Sequence, residues 1–318
     1  MLRANEAIRL GLRAASRNAE LCFWKALVDQ GGNLLAILPL ALGVVLVASV
    51  ARGPLLGAVA LALRALLALR WPVLGAVAAA LAIAFFASML FWAGAVPLLA
   101  ADAEMNQRPP RGNFVVLLSR GAARTLVAGL LGWGLEVFFL LACQAALVFV
   151  LPAALLRPSV SLFAALALAV AVAAMGTFLL DSLARLTVVR AAAFGDPGTA
   201  AFGKAASLLG GRLGAAMVVT LVFMALELVV ASAAAAVTGM LSGATFLDPA
   251  AELVALAPRA AVALAAAAVF GWLEVGRMGA FAALAADAEG LIAPEPPPEP
   301  PPVAELVVEA LPVDDGAL

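Results

Sequence analysis

Six ionisable residues of this chain sit in or beside stretches that are otherwise apolar. Glu136, Glu227, Glu274 and Arg277 lie inside such stretches, and Asp181 and Arg185 lie at the margin of another. A charged side chain at the centre of a bilayer costs about 2.5–3.5 kcal/mol on insertion scales, so each of these residues needs a partner or a use. Glu274 and Arg277 are three apart and Asp181 and Arg185 four apart, spacings that place acid and base on one helix face. Each pair therefore predicts an internal salt bridge that offsets its own insertion cost. Gathered round one polar cavity, the three glutamates would bind a cation or relay protons. Held apart, each would be protonated or bonded to a neighbouring helix, as glue between helices. The last apolar stretch is about 27 residues, roughly 40 Å of helix, which also leaves room for Glu274 near an interface.

The rest of the chemical inventory is thin. Histidine and tyrosine are absent, which removes imidazole bases, imidazole metal ligands and phenolic acids. Cys22 and Cys143 are isolated, so neither a disulfide framework nor a metal site is indicated. A serine nucleophile would need a lysine base. Lys25 and Lys204 are the only lysines, and both are expected outside the hydrocarbon. No P-loop or GxGxxG pattern occurs, and Gly195-Asp196-Pro197-Gly198 reads as a turn. An intramembrane aspartyl mechanism needs two converging aspartates, and only Asp181 lies near an apolar stretch. The expectation is a non-enzymatic protein with no catalytic, cofactor-binding or metal-ligating residues. A net charge of −1 gives no electrostatic footing for nucleic acid.

The elements that must position the six residues follow from composition. The chain is 65% hydrophobic and 12% charged, with a mean hydropathy of +1.11. Soluble domains run at about 45–50% and about 25%. Helices that cross a bilayer need about 20 mostly apolar residues, because no water is available there for unpaired backbone groups. Six stretches qualify: 31–51, 71–101, 125–156, 159–180, 213–247 and 260–286. The fold class is all-α, a polytopic transmembrane bundle with the bilayer as its first partner, and Pro97 reads as a kink. Thirteen Lys and Arg fall in the connections on one side and five on the other. The positive-inside rule then predicts a multi-pass protein of a bacterial inner membrane with both termini cytoplasmic.

Residues 1–30 form the first region, 31–290 the membrane domain, and 291–318 an acidic tail. Four arginines and the lack of an uninterrupted apolar core distinguish 1–30 from a cleaved signal peptide. Ile8, Leu12, Ala15, Ala19 and Phe23 share one helical face and Arg9, Arg13 and Arg17 the other. Two placements fit: a helix lying in the headgroup layer, or one packed on the cytoplasmic ends of the bundle. Residues 55–69 predict a further interfacial or re-entrant helix. Pairs four apart, Gly210 with Gly214 and Gly239 with Gly243, predict close helix contacts.

An internal repeat underlies this layout. Leu99-Ala100-Ala101-Asp102-Ala103-Glu104 recurs letter for letter at Leu284-Ala285-Ala286-Asp287-Ala288-Glu289, and 189–196 matches more loosely. Gly121-Ala122-Ala123-Arg124 and Gly210-Gly211-Arg212 rhyme ahead of Glu136 and Glu227. The unit is an amphipathic lead-in helix followed by a transmembrane hairpin, three times over. This layout over residues 1–290 resembles bacterial six-helix inner-membrane families, such as the membrane domain associated with glycerophosphodiester phosphodiesterases. No catalytic domain of that kind accompanies it here, so the resemblance implies architecture and no activity.

The tail begins with a proline-rich run, 294–302, which forms a semi-rigid extended spacer of about 3.1 Å per residue. Beyond it Val303, Leu306, Val307, Ala310 and Leu311 share a helical face, a docking motif for the groove of a cytoplasmic protein partner. The leading expectation is a scaffold or regulator acting through its cytoplasmic helices and tail. The alternative is a small transporter or channel that couples protons or cations through Glu136, Glu227, Glu274 and Arg277. Oligomeric state is not readable from the residues.

Overall fold

A computed structural model describes residues 2–50, 70–105, 114–156, 160–243 and 249–292. All regular structure among the described residues is helical. In chain order the helices are α1 (Ala4–Arg17), α2 (Ala19–Val50), α3 (Arg70–Met105), α4 (Phe114–Leu156), α5 (Val160–Ala193), α6 (Gly198–Gly211), α7 (Leu213–Gly243) and α8 (Pro249–Ala288). The interfacial helix expected at 55–69 and the docking face at 303–311 lie outside the described residues.

Five of these helices are long and apolar enough to cross a membrane: Leu74–Glu104, Phe114–Val148, Phe163–Ala193, Leu213–Leu241 and Val254–Ala288. The segment expected as the first crossing, 31–51, is helical in α2 as far as Val50. Apolar side chains cover the outside of the bundle. Val160 is 88% exposed, Met240 78% and Phe138 71%, a surface that suits hydrocarbon and not water. The tight core sits toward the arginine-rich end, where Trp92, Leu99, Leu186, Phe223, Met278, Phe281 and Leu284 are almost wholly enclosed. α3 and α8 stay helical through Pro97 and Pro258.

α1 does not lie free in a headgroup layer. It packs on α8, and its buried face is Ala7, Gly11, Ala14 and Ala15. The backbones approach so closely that a Cβ on Gly11 would stand 2.2 Å from the Gly276 carbonyl and 2.6 Å from the Ala280 nitrogen. Ile8 and Leu12 pack half-buried at the edge of this contact. The helix breaks at Asn18, whose N–H donates to the Ala14 and Ala15 carbonyls and whose side chain also donates to Ala14. Ala19 and Phe23 therefore belong to α2, and Phe23 is exposed. Arg212 ends α6 in the same manner, its N–H donating to the Leu208 and Leu209 carbonyls. The lead-in to the third expected span, by contrast, is continuous with that span in α4.

The small-residue contacts also fall elsewhere than expected. Nothing approaches Gly210, Gly214 or Gly239. Close approaches to a neighbouring helix backbone include Gly11 on α8, Gly132 on Ala184 of α5, and Gly271 on the Cys22 carbonyl of α2. Spacing alone does not say which stripe of a helix meets a neighbour.

Three ties close the hairpins at the arginine-rich end. Arg17 pairs with Asp102 at 3.3 Å, Arg124 Nη1 donates to the Gly195 carbonyl at 2.9 Å, and Arg212 pairs with Asp287. Asp287 also accepts the Leu2 N–H at 2.8 Å, which pins the start of the described chain to the end of α8. Gly195 has φ +75 in the turn after α5. Gly290, at φ +72, ends α8: its N–H reaches the Asp287 carbonyl and the Leu291 N–H reaches Ala286, a Schellman arrangement.

Candidate functional site

Asp181 and Arg185 are one turn apart on α5 and bond to each other, Arg185 Nε donating to Oδ1 at 3.0 Å and Oδ2 at 3.1 Å. The spacing thus yields the internal pair it predicts. Glu274 and Arg277 do not close on one another in the same way. Instead both cross to α5. Arg185 grips Glu274 with two parallel bonds, Nη1 to Oε2 at 2.7 Å and Nη2 to Oε1 at 3.1 Å, and Arg277 donates to Asp181. Bidentate guanidinium–carboxylate pairs are the strongest of the charge-assisted bonds, and their planarity fixes the relative rotation of the two helices.

Glu227 of α7 approaches Arg277 from the other side, its Oε1 lying 3.7 Å from Nη1, outside hydrogen-bond range. That oxygen is fully enclosed and has no hydrogen-bond partner, as is true of Oε2 of Glu136 on α4. Glu136 lies within electrostatic reach of Asp181, Arg185 and Arg277. Five of the six residues singled out in the sequence are thus joined by ion pairs, and Glu136 stands beside them without a bond to any. Beside it, Ser182 of α5 and Thr220 of α7 join hydroxyls at 2.7 Å.

Two further members come from α2. Lys25 pairs with Asp29 one turn on, and its ammonium stands 5.2 Å from the centre of the Trp92 ring, within cation–π range. Both charges are felt at Glu274 or by it. Burial holds the Asp29 carboxyl above its ordinary range despite the attraction of Lys25. Sequence reading set Lys25 outside the hydrocarbon and used Asp29 as a span boundary. The signal that would have found them is their own i,i+4 spacing ahead of an apolar run.

A cavity of about 480 Å³ opens among α2, α3, α7 and α8. Its lining includes Lys25, Asp29, Gln30, Asn33, Glu227 and Glu274. Glu274 is thirteen residues from Asp287, about 20 Å along the helix at 1.5 Å per residue, and α1 packs beside this stretch of α8, with Gly11 against Gly276 and Ser16 against Trp272, so the cluster lies level with the end of the arginine-bearing α1. Five carboxyl groups (Asp29, Glu136, Asp181, Glu227, Glu274) face three cations (Lys25, Arg185, Arg277). Uncompensated charge is expensive in a low-dielectric interior. The two extra negative charges call for protons or a bound cation, and the two carboxylates with orphaned oxygens, Glu136 and Glu227, are where they would go.

Outside the spans, burial pushes the Cys22 thiol up to about 11, against a bond to backbone that lowers it. The thiol donates to the Ala15 carbonyl at 3.3 Å. Cys22 and Cys143 are both free.

The fold and its buried charges define a class: an all-helical chain with five helices long and apolar enough to cross a membrane, enclosing a polar cluster. Comparison with protein families, with curated proteins and with solved structures finds no match to this chain.

Proposed function

We propose that this chain is a six-span membrane transporter that moves protons, coupled to a cationic solute, through the cluster formed by Asp29, Glu136, Asp181, Glu227, Glu274 and their three basic partners. Counting 31–51 as a crossing gives the even number that leaves both ends on the arginine-rich side, which the positive-inside rule makes cytoplasmic. The ties Arg17 to Asp102, Arg124 to Gly195 and Arg212 to Asp287 support a threefold repeat of lead-in helix and hairpin.

The observation that carries the reading is convergence. Charged residues from five helices converge beside a polar cavity, with two more acids than bases. Intramembrane ionisable residues that face a bundle interior and outnumber their partners are the recurrent hardware of proton relays. Glue between helices needs only neutral hydrogen bonds and no cavity. The role proposed is non-enzymatic. The scaffolding reading draws on the cytoplasmic helices and the tail, and the docking face of that tail at 303–311 lies outside the described residues.

The test is flux. Wild-type protein in proteoliposomes should dissipate an imposed pH gradient read by an internal dye. Glu136→Gln and Glu227→Gln should each slow that dissipation tenfold or more. A wild type that leaves the gradient intact, or variants that match it, would end the transport reading.

A further inference from the structure

We infer that the solute bound in the 480 Å³ cavity is a small organic cation bearing one ammonium group, with Glu227 as its counter-ion. This rests on the transport reading above and names its substrate class.

Size excludes the simplest occupant. The cavity, about 480 Å³, falls within the range of small-molecule sites, about 300–1,000 Å³. A bare inorganic cation needs a tight shell of oxygens. Among the described residues no three acidic, thiol or imidazole groups are arranged to hold a metal ion. The space suits a molecule with a hydrocarbon body, which Val28, Leu81 and Phe270 of the lining would contact.

The sign of the charge follows from the walls. Three carboxylates, Asp29, Glu227 and Glu274, share the lining with the ammonium of Lys25. Asp29 is taken by Lys25, and both oxygens of Glu274 are taken by Arg185. Glu227 is the lining carboxylate that accepts no hydrogen bond: its Oε1 is enclosed 3.7 Å from Arg277, which donates to Asp181, and Oε2 is the oxygen left for a ligand. An ammonium carries three donors. One satisfies the Glu227 carboxylate, and the side-chain amide oxygens of Gln30 and Asn33 supply acceptors for the others.

Exchange follows directly. A proton and an ammonium group both neutralise Glu227, and one carboxylate cannot carry both at full strength. The cation therefore binds as the Glu227 proton leaves, with net charge in the cavity conserved. Coupling is by competition at a single carboxylate, which is the behaviour of an antiporter.

Calorimetric titration of the full chain in bilayer discs with n-butylammonium chloride tests this, with n-butanol, sodium chloride and magnesium chloride as comparisons. Saturable binding of n-butylammonium alone is expected. It should weaken at least tenfold in Glu227→Gln and fall about tenfold per unit as pH drops through the titration of Glu227. Equal affinity in Glu227→Gln, pH-independent binding by wild type, or equally good binding of n-butanol would overturn the inference. Should Glu227→Gln not fold, the wild-type pH dependence decides alone. Proton flux without n-butylammonium binding would sink the substrate class and spare the transport reading. Binding without flux would do the reverse.

Discussion

Arg185 of α5 and Glu274 of α8 meet as a two-bond pair between the helices, and Asp181 completes the grip from the preceding turn of α5. Removing one partner of a buried pair strands the other, a loss of about 3–5 kcal/mol, whereas replacing both with apolar residues of similar volume is often neutral. Arg185→Ala should therefore destabilise more than the double variant Arg185→Met/Glu274→Leu, even though the double variant alters more atoms. A double-mutant cycle on denaturant unfolding in detergent measures the coupling. Additive single and double effects would show that the pair is independent of its surroundings, contrary to the geometry.

The contact of α1 with α8 predicts opposite outcomes at two glycines. At Gly11 a methyl group would sit 2.2 Å from a backbone carbonyl that cannot step aside. Gly11→Ala should cost about 1–3 kcal/mol, the usual range for overpacking, and should loosen α1 from the bundle. At Gly210 nothing lies within 4 Å, so Gly210→Ala should stabilise α6 by about 0.5–1 kcal/mol through reduced backbone entropy of the unfolded chain. Thermal unfolding of both variants provides the check.

Those two glycines also mark what could and could not be read from residue order. Long apolar runs were legible because hydrocarbon imposes a length and a composition on anything that crosses it. The six charges were legible for the same reason, since a charge in such a run stands out against its cost. Partner choice was not. Glu274 lies 89 residues from Arg185, and only the rotational setting of α5 against α8 brings them together. The face of α1 was legible in part: Ala15 of the expected stripe is buried and Ile8 and Leu12 pack at the edge of the contact. The helix also buries Ala7, Gly11 and Ala14, where small side chains let two backbones touch.

Asp287 gathers the Leu2 N–H and the Arg212 guanidinium on one half-buried carboxylate. Asp287→Asn keeps the shape and removes the charge, so it should cost about 1–3 kcal/mol, the range for bonds to charged groups. It should also raise amide exchange at the first turn of α1. The parallel change Asp102→Asn should cost less, because its partner Arg17 is 34% exposed and solvent screens the pair. Hydrogen exchange resolved by residue separates the two. Equal protection of residues 4–8 in Asp287→Asn and wild type would show that this tie does not hold the amino-terminal helix.

The thiol of Cys22 gives a pH window with a definite sign. Its value in the folded chain is raised from about 9 to about 11 by burial. Below pH 9 the thiol is neutral in folded and unfolded chains alike, and its contribution to stability is fully present. Between pH 9 and 11 the unfolded chain ionises while the folded one does not, so stability falls as pH rises through that window. A shift of two units corresponds to at most about 2–3 kcal/mol, at 1.36 kcal/mol per unit. Cys22→Ala removes the titrating group and should flatten the decline in melting temperature over pH 9–11, while leaving the acid side of the profile unchanged. The same burial keeps the thiolate scarce at pH 8, so maleimide should label Cys22 far more slowly than a thiol in the unfolded chain. Rapid labelling at that pH would mean that α2 opens from α8 at Gly271, where the Cys22 carbonyl now lies against the helix.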